Sequence, residues 1–306
     1  MRRFSSITTT QIARICGVSQ GTVDRALNNR QGISPKTKAK ILEVAREYEY
    51  VPNVKGGTKS KSMLIGVVLY DLYNEFFSKL AMSLVESAKK DGYSVIFLFS
   101  NKDLKAEKSA IDYFNYIGVD GIVLFSVGTD SVEYQNYLKT IKKPIVTVGN
   151  KLFDFAHVGI DDFKAMYDLT CAVLKKCDGE VSYFAPILKR NLHKNNAQEL
   201  RLNGFKKATK EKGINYKIVL DEKDLDKNVN AVICSTDYYM LNAINKFGIN
   251  SNKVIAGFDN IPALKKLNLK TLTVEYSTND IANECMNYFL RRKYTKNICH
   301  TIVCDN

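Results

Sequence analysis

The first 53 residues contain three segments whose apolar side chains recur at helical spacing. In residues 8–16, Ile12, Ala13, Ile15 and Cys16 form an apolar stripe that Gly17 ends. A second helix is predicted after the three-residue turn GVS, with Ser19 as its N-cap and a stripe made of Val23, Ala26 and Leu27. A third is predicted from Ser34 and Pro35, with Ile41, Leu42, Val44 and Ala45 buried. Three short helices with a tight turn between the first two predict a helix-turn-helix unit.

From residue 62 the pattern changes to strands alternating with helices. The predicted strands are almost uniformly apolar: SMLIGVVLY, YSVIFLF, GIVLF, PIVTVG, EVSYFA, YKIVL, NAVICS and KVIAGF. Strands of this kind are buried on both faces, which indicates parallel sheets covered by helices. The alternation restarts after FDFAHVGIDD, so the fold class is α/β, with two lobes following the helical head. Ligands of such folds bind at the carboxyl ends of the strands, here in the cleft between the lobes.

Composition indicates an ordinary globular chain of more than one domain. It has 306 residues, 45% of them hydrophobic and 25% charged. The longest apolar run, residues 63–70, is far shorter than the roughly 20 residues that cross a bilayer, and the N-terminus lacks the pattern of a signal peptide. Seven scattered cysteines predict neither a disulfide framework nor a metal site. We therefore expect a cytoplasmic protein without a metal or cofactor.

The positive charge is concentrated in the first fifth of the chain. Residues 1–61 hold 12 Lys and Arg against four acidic residues, an excess of +8 out of a net charge of +13. A basic terminal segment on a nearly balanced body indicates a polyanion-binding head joined to a domain with another task. In a helix-turn-helix unit the second helix enters the DNA major groove. Its outward positions here are Gln20, Gly21, Asp24 and Arg25, and Arg25 has the geometry to bind a guanine edge bidentately.

The head resembles that of the lac repressor/gal repressor (LacI/GalR) family of bacterial transcription regulators. The matching stretches are AxxxGVS from Ala13, TVxRALN at residues 22–28, ISPxT at residues 33–37 and YxPN at residues 50–53. This resemblance implies phosphate contacts by Thr8, Ser19, Thr22, Asn28 and Ser34. It also implies that Gln20, Gly21 and Arg25 face the bases.

Two positions in this region depart from the family pattern. Asp24 stands where the family usually has Ser, so either it accepts a hydrogen bond from a cytosine amine or a nearby base such as Arg2 or Arg3 neutralises it. After residue 53 the family commonly has a small hinge helix with a Leu wedge. Here the sequence reads VKGGTKSK, and two glycines together cost a short helix about 2 kcal/mol. A flexible basic linker is therefore expected at residues 54–61.

The body resembles the same family and the periplasmic sugar-binding proteins. The matching motifs are DLYNEFF from Asp71, with Glu75 where the family has Pro, GVDGIVLF, VGIDD, RLNGF, STDYYMLNAI and IAGFDN. The resemblance implies effector contacts by Asp71, Asn74, Phe76, Phe77, Arg201, Asp237 and Asp259. Carboxylates and a guanidinium hold adjacent hydroxyls, and an aromatic ring stacks on a sugar, so the expected ligand is a sugar or sugar derivative. A shortening between Gly213 and Cys234 predicts a stunted or missing helix in the second lobe.

The expected organisation is a head, a linker and a two-lobed body. The head is residues 1–53, a three-helix DNA-binding unit, and the body is residues 62–306. Lobe 1 is about 62–157 plus 276–292, and lobe 2 about 158–275 plus 293–306. The function implied is a transcription regulator, a repressor that binds a pseudopalindromic double-stranded DNA operator as a homodimer and responds to a small carbohydrate effector.

Two other classes of function remain as alternatives. An enzyme is disfavoured because the chain has no GxGxxG, GxxxxGK[ST] or GxSxG motif, and its three histidines have no metal-ligand spacing. A solute-binding protein without a regulatory role would need an export signal, whereas the N-terminus has the basic helix-turn-helix pattern.

Overall fold

The computed structural model describes residues 7–28, 30–48, 50, 61–127, 131–189, 196–249, 251–266 and 271–304. The chain divides into two compact units between residues 60 and 61. The linker expected at residues 54–61 lies outside the described residues except for Lys61, and so do Arg2 and Arg3. Within the described part of the chain, no helix has the length and apolarity needed to cross a membrane.

The first unit has three helices: α1 (Thr9–Cys16), α2 (Gln20–Leu27) and α3 (Pro35–Glu47). Each begins at a hydroxyl side chain that accepts from a backbone N–H group of the first turn: Thr8, Ser19 and Ser34. Gly17 ends α1 in the left-handed conformation, with φ of 70°. Ile12, Val23 and Ile41, one from each helix, are fully buried against one another in a small core. The predicted helix-turn-helix fold is confirmed.

The second unit begins with a five-stranded parallel sheet. Its elements are β1 (Leu64–Leu69), α4 (Glu75–Lys90), β2 (Ser94–Phe99), α5 (Leu104–Ile117), β3 (Gly121–Leu124), α6 (Val132–Thr140), β4 (Ile145–Val148) and β5 (Ala156–Val158). The strand order is β2-β1-β3-β4-β5, and every pair is parallel. Strand β1, an interior strand between β2 and β3, is apolar along its length because both faces are covered.

A six-stranded sheet follows, with its own helices. Its elements are α7 (Asp162–Leu174), β6 (Val181–Phe184), α8 (Ala197–Glu211), β7 (Tyr216–Val219), β8 (Ala231–Cys234), α9 (Asp237–Phe247), β9 (Val254–Phe258), α10 (Pro262–Lys266), β10 (Leu272–Tyr276), α11 (Thr278–Phe289) and β11 (His300–Cys304). The order is β11-β10-β9-β8-β6-β7, with β11 antiparallel and the other pairs parallel. The predicted α/β class with parallel sheets is confirmed, apart from the antiparallel edge strand β11, whereas the short helix α10 was not anticipated.

The segment between β7 and β8 has a short 3₁₀ turn, Glu222–Asp224, in place of an α-helix, as the shortening of the sequence predicts. Leu225 and Val229 from this segment are buried in the main core, where they cover the sheet. Its carbonyl groups accept hydrogen bonds from two lysine side chains, Lys246 and Lys253. These ammonium groups satisfy backbone acceptors that would be paired along the chain in a helix.

The chain passes between the two sheets more than once. Helix α11 packs on α4 of the first sheet, where the hydroxyls of Ser83 and Thr278 lie 2.9 Å apart. Strand β11 then returns to the second sheet. At this crossing the Gly159 N–H donates to the Lys296 carbonyl at 2.9 Å, and the Ile298 N–H donates to the Gly159 carbonyl at 2.7 Å. These two hydrogen bonds join the segment that connects β5 to α7 with the segment that connects α11 to β11.

Candidate nucleic-acid interface and ligand cavity

The outer face of α2 is polar and exposed. Val23 and Ala26 are buried, and this leaves Gln20, Asp24 and Arg25 in solvent. Of the nine residues expected to contact DNA, eight are exposed and Thr22 is half-buried: Thr8, Ser19, Gln20, Gly21, Thr22, Asp24, Arg25, Asn28 and Ser34. The head therefore presents all nine, at least in part, to a ligand outside it.

Three of the residues expected to contact phosphate, Thr8, Ser19 and Ser34, are hydroxyl side chains at helix N-termini. Thr8 forms a capping box with Gln11, and the hydroxyls of Ser19 and Ser34 accept from the N–H groups of Thr22 and Thr37 at 3.1 Å. The Thr8 hydroxyl also donates to Gln11 Oε1 at 3.0 Å, and the hydroxyls of Ser19 and Ser34 lie 2.9 and 2.7 Å from those of Thr22 and Thr37. Helix N-termini also favour anions, because their N–H groups point outward and the helix dipole is positive there. The arrangement suits phosphate oxygens.

Asp24 has two partners within the head. Its Oδ1 accepts from the Asn28 amide at 2.8 Å, and its Oδ2 lies 3.2 Å from a guanidinium nitrogen of Arg30. The neutralising base expected from the sequence was Arg2 or Arg3, which lie outside the described residues. Arg30 was missed because it follows the end of the helix, six residues after Asp24.

The body contains a cavity of about 510 Å³ between its two sheets. Its lining combines aromatic and polar side chains from both: Tyr70, Asp71, Tyr73, Asn74, Phe76, Phe77, Lys102, Phe125, Asn150, Asp162, Asn196, Gln198, Arg201, Tyr238, Tyr239, Asp259 and Tyr276, among others. Six of the seven residues expected to bind an effector are therefore in one place. The strand–helix junctions after β1, β6 and β9 bring them there, as expected for carboxyl ends of parallel strands.

Arg201 is fixed among buried partners at this cavity. Its Nε donates to Asp162 Oδ1 at 2.7 Å and its Nη1 to the Ser235 carbonyl at 2.8 Å, while Asp259 Oδ1 lies 3.8 Å away. The guanidinium also stacks on the Phe258 ring, 3.5 Å from its centroid. Arg201 is 6% exposed, and its ion pair with Asp162 is buried. These contacts fix the orientation of the guanidinium group.

The carboxylates beside Arg201 have raised pKa values. Burial raises the pKa of Asp162, although Arg201 opposes the shift. Burial likewise raises the pKa of Asp259 to about 6, while Arg201 and the Tyr276 hydroxyl lower it. The Tyr276 hydroxyl donates to Asp259 Oδ1 at 2.8 Å. Asp162 lies in the motif VGIDD, but the sequence did not identify it as a partner of Arg201.

Asp237 does not line the cavity, and the prediction that it contacts an effector is corrected here. The side chain is completely buried, and its Oδ2 accepts from the Ile261 N–H at 3.0 Å. The Thr273 hydroxyl donates to the same carboxylate at 2.8 Å. Burial raises the pKa of Asp237 to about 7, with a further contribution from Asp259. Its hydrogen bonds therefore join the segment that follows β9 to strand β10.

Two hydrogen bonds that the sequence did not predict join the first sheet to the second across the cavity. Asn150, after β4, donates to the Tyr70 hydroxyl at 2.9 Å and accepts from the Ala197 N–H, at the start of α8, at 3.0 Å. Glu75, the first residue of α4, accepts from the Ala263 N–H of α10 at 2.8 Å. Glu75 is the residue that replaces the proline of the motif. The cavity is thus bounded by contacts between elements of both sheets.

A buried carboxyl supports the wall of the first sheet. Glu107 is fully buried and accepts from the Ser126 hydroxyl at 2.8 Å, the Val127 N–H at 2.7 Å and the Tyr134 hydroxyl. Burial raises the pKa of Glu107, while these hydrogen bonds lower it. Val127 lines the cavity, so Glu107 fixes the backbone at the edge of the cavity.

Among the residues that the structure describes, no three His, Cys, Asp or Glu side chains are grouped as metal ligands.

Comparison with known proteins gives matches over both units. Residues 8–53 match the model of bacterial regulatory proteins of the lacI family, and residues 62–234 match that of periplasmic binding proteins and the sugar-binding domain of the LacI family. The HTH-type transcriptional regulator RegA of Clostridium saccharobutylicum is 26% identical over an alignment of 305 positions, which covers 92% of this chain and 90% of RegA.

Two solved structures have the same fold over nearly the whole chain. A complex of the transcriptional regulator CelR with cellobiose has a TM-score of 0.66 and 16% identity, covering 98% of this chain and 99% of that one. The lac repressor dimer bound to operator and the anti-inducer ONPF has a TM-score of 0.71 and 16% identity, covering 98% of each chain. At these identities the likeness is one of fold.

Proposed function

Because the chain belongs to the lacI family of bacterial regulatory proteins, which are DNA-binding transcription regulators, we propose that it is a repressor controlled by a small carbohydrate. The head binds one half of a pseudopalindromic operator, and a homodimer formed through the body supplies both halves. Residues 1–53 are the head, and residues 62–306 form the body, with the two lobes at the bounds given above. We propose no catalytic role for the cavity residues, and we propose a cytoplasmic location.

The observation that carries this proposal is the composition of the cavity wall. Asp71, Asn74 and Asp259 supply polar groups, and Phe76 and Phe77 supply aromatic surface, within one cavity. Hydroxyl groups of a sugar satisfy carboxylates and amides, and the rings cover its C–H face. The structure of CelR with cellobiose supports a sugar, since that regulator has this fold. Asp237 is left out of the proposed contacts.

Regulation requires that the ligand bind the two arrangements of the lobes with different affinity. Arg201 lies on α8 and Asp259 follows β9, both beside the second sheet, whereas Asp71 and Asn74 follow a strand of the first. A sugar that bridges both groups is bound most tightly when the lobes are closed. Closure then biases the placement of the two heads in the dimer.

The DNA-binding part is tested with duplex DNA from the promoter of the chain's own gene. Fluorescence anisotropy is expected to show affinity falling steeply with salt, because phosphate contacts release counterions. Arg25→Ala is expected to remove the preference for the promoter over a scrambled duplex, at a cost of about 1–3 kcal/mol. Arg46→Ala, an exposed charge at the end of α3, is the matched control. Binding that is insensitive to salt and to Arg25→Ala would show that the head assignment is wrong.

The effector part is tested by thermal shift of the full chain with a panel of sugars and phosphosugars. A binding sugar raises the melting temperature of the body, because it binds the folded state alone. The shift is expected to be lost in Phe77→Ala and kept in Phe99→Ala, an exposed ring on the edge strand β2. If no member of the panel shifts the wild type, the sugar assignment is abandoned.

A further inference from the structure

Asp24 lies on a stripe of α2 with Gln20 and Asn28, because residues four apart share one side of a helix. All three side chains are exposed. An isolated carboxylate in the middle of a face that meets DNA would repel phosphate. Its neighbours on the stripe and just beyond it therefore decide what Asp24 does.

The Asn28 amide is already committed to Asp24. Its Nδ2 donates to the Asp24 carbonyl at 3.0 Å and to Asp24 Oδ1 at 2.8 Å. An amide nitrogen has two protons, so both are used, and the side chain keeps only an acceptor for an outside partner. An acceptor is unsuited to a phosphate oxygen. The sequence predicted a phosphate contact by Asn28, but its hydrogen bonds to Asp24 prevent the amide from donating to phosphate.

Arg30 is held next to the same stripe from two directions. Its backbone N–H donates to the Arg25 carbonyl at 2.9 Å, which fixes the chain against the end of α2. Its Nη1 donates to Asp24 Oδ2 at 3.2 Å. A guanidinium has five N–H donors, so four remain after this bond. Arg30 is exposed, and those donors are accessible to a partner outside the head.

We propose that Asp24 is a positioning residue for DNA binding, which withdraws the Asn28 amide from phosphate and sets the Arg30 guanidinium against the phosphate backbone in its place. The inference rests on the proposed function of the head as a DNA-binding unit. Asp24 then contributes through Arg30, and the pair has no net charge. The serine usual at this position in the family cannot hold a guanidinium as an ion pair.

The experiment measures the salt dependence of DNA binding by the full chain. The probe is a duplex that the wild type enriches from a random-sequence pool, and a scrambled duplex of the same length is the comparison. Each phosphate contact contributes about 0.9 to the slope of log K against log salt. Arg30→Ala and Asp24→Asn are each expected to lower the slope by about 0.9. The double variant is expected to match Arg30→Ala, because Asp24 acts through that residue. Arg14→Ala is the matched control, because it removes an exposed charge of α1 that lies outside the stripe. Any effect of this substitution on the slope should be independent of Asp24.

Three results would overturn the proposal. One is an unchanged slope in Arg30→Ala, whose exposed side chain is removable without disturbing the helix. A second is tighter binding by Asp24→Asn both with and without Arg30, which is simple repulsion by Asp24. A third is an altered preferred base when Asp24→Asn is used to repeat the enrichment, since Asp24 would then read a base directly. Failure of the proposed function looks different, because the wild type itself would enrich no sequence.

Discussion

At the scale of single residues, Arg201 is the buried charge on which the cavity depends. It is paired with Asp162 and lies near Asp259, and all three are almost fully buried. Removing one member of a buried ion pair leaves its partners without a counter-charge, a change that costs about 3–5 kcal/mol. Arg201→Ala is therefore expected to lower the free energy of unfolding of the body by that amount, measured by urea denaturation.

The control for Arg201 is an arginine paired at the surface. Arg292 donates to both oxygens of Asp91, at 2.7 and 3.3 Å, but its side chain is half exposed. Solvent screens such a pair, so Arg292→Ala is expected to cost about 1 kcal/mol or less. Equal losses for the two variants would mean that the buried cluster contributes no more than a surface pair.

Asp237 gives the body a pH dependence whose sign follows from its environment. Its pKa is raised to about 7 in the folded state, from 3.8, so the folded protein binds more protons than the unfolded chain between these values. Stability therefore falls as pH rises from about 4 to about 7, and the penalty is fully present above pH 7.

Asp237→Asn is expected to remove this part of the pH dependence. The amide keeps an oxygen for the Ile261 N–H and offers its N–H to the Thr273 hydroxyl, without carrying a charge. The measurement is the difference in unfolding free energy between the variant and the wild type, at pH 5 and at pH 8. The variant should gain relative to the wild type at the higher pH. A constant difference would show that Asp237 does not titrate in this range.

At the scale of elements, the predictions that succeeded rest on local signals. Caps at Ser19 and Ser34 and apolar spacing within each helix fix the head, and uniformly apolar runs identify the strands. The contacts that the sequence did not predict join distant parts of the chain. Glu75 meets Ala263 across 188 positions, and Asn150 meets Ala197 across 47. No local sequence pattern predicts a contact between residues so far apart in the chain.

Asp237 also shows that a local motif does not determine which distant residues a side chain contacts. The motif correctly placed it after a strand, but a motif does not say whether a side chain faces a cavity or the core. The structure turns it toward Thr273 and Ile261, which belong to later segments. Arg201, also chosen by its motif, does line the cavity. The pairing of Arg201 with Asp162 could not be predicted from the sequence, because it depends on how α7 packs on α8.

The segment between β7 and β8 yields a prediction at this scale. Lys253 Nζ donates to the Val229 carbonyl at 2.6 Å, and Lys246 Nζ to the Lys223 carbonyl at 3.1 Å. Lys253 Nζ also donates to the Lys227 carbonyl, so Lys253→Met removes a charged donor from two carbonyls, a loss of about 1.5–3 kcal/mol for each bond. Hydrogen exchange of amides in residues 220–230 is expected to accelerate. Lys212→Met, an exposed lysine at the end of α8, should leave it unchanged. Equal exchange in both variants would mean that Leu225 and Val229 hold the segment without help.

At the scale of the whole body, Glu75 joins the two sheets where the family motif has a proline. Its carboxylate accepts from the Ala263 N–H, one of the unpaired donors at the start of α10. Proline at this position has no carboxylate to reach Ala263. The second bond between the sheets, from Ala197 to Asn150, joins two residues that line the cavity. If the lobes close as rigid bodies, the two bonds form and break together.

Glu75→Ala is therefore expected to favour the open arrangement and to speed hydrogen exchange at Ala197, although Glu75 does not contact that residue. The matched control is Glu86→Ala, which removes an exposed carboxylate from the same helix. Both amides are followed in the full chain by mass spectrometry, with and without a sugar that binds. The sugar should restore slow exchange in the variant, at a weaker apparent affinity, because part of its binding energy is used to close the lobes. Faster exchange at Ala263 with none at Ala197 would show instead that Glu75 caps α10 locally and has no part in closure.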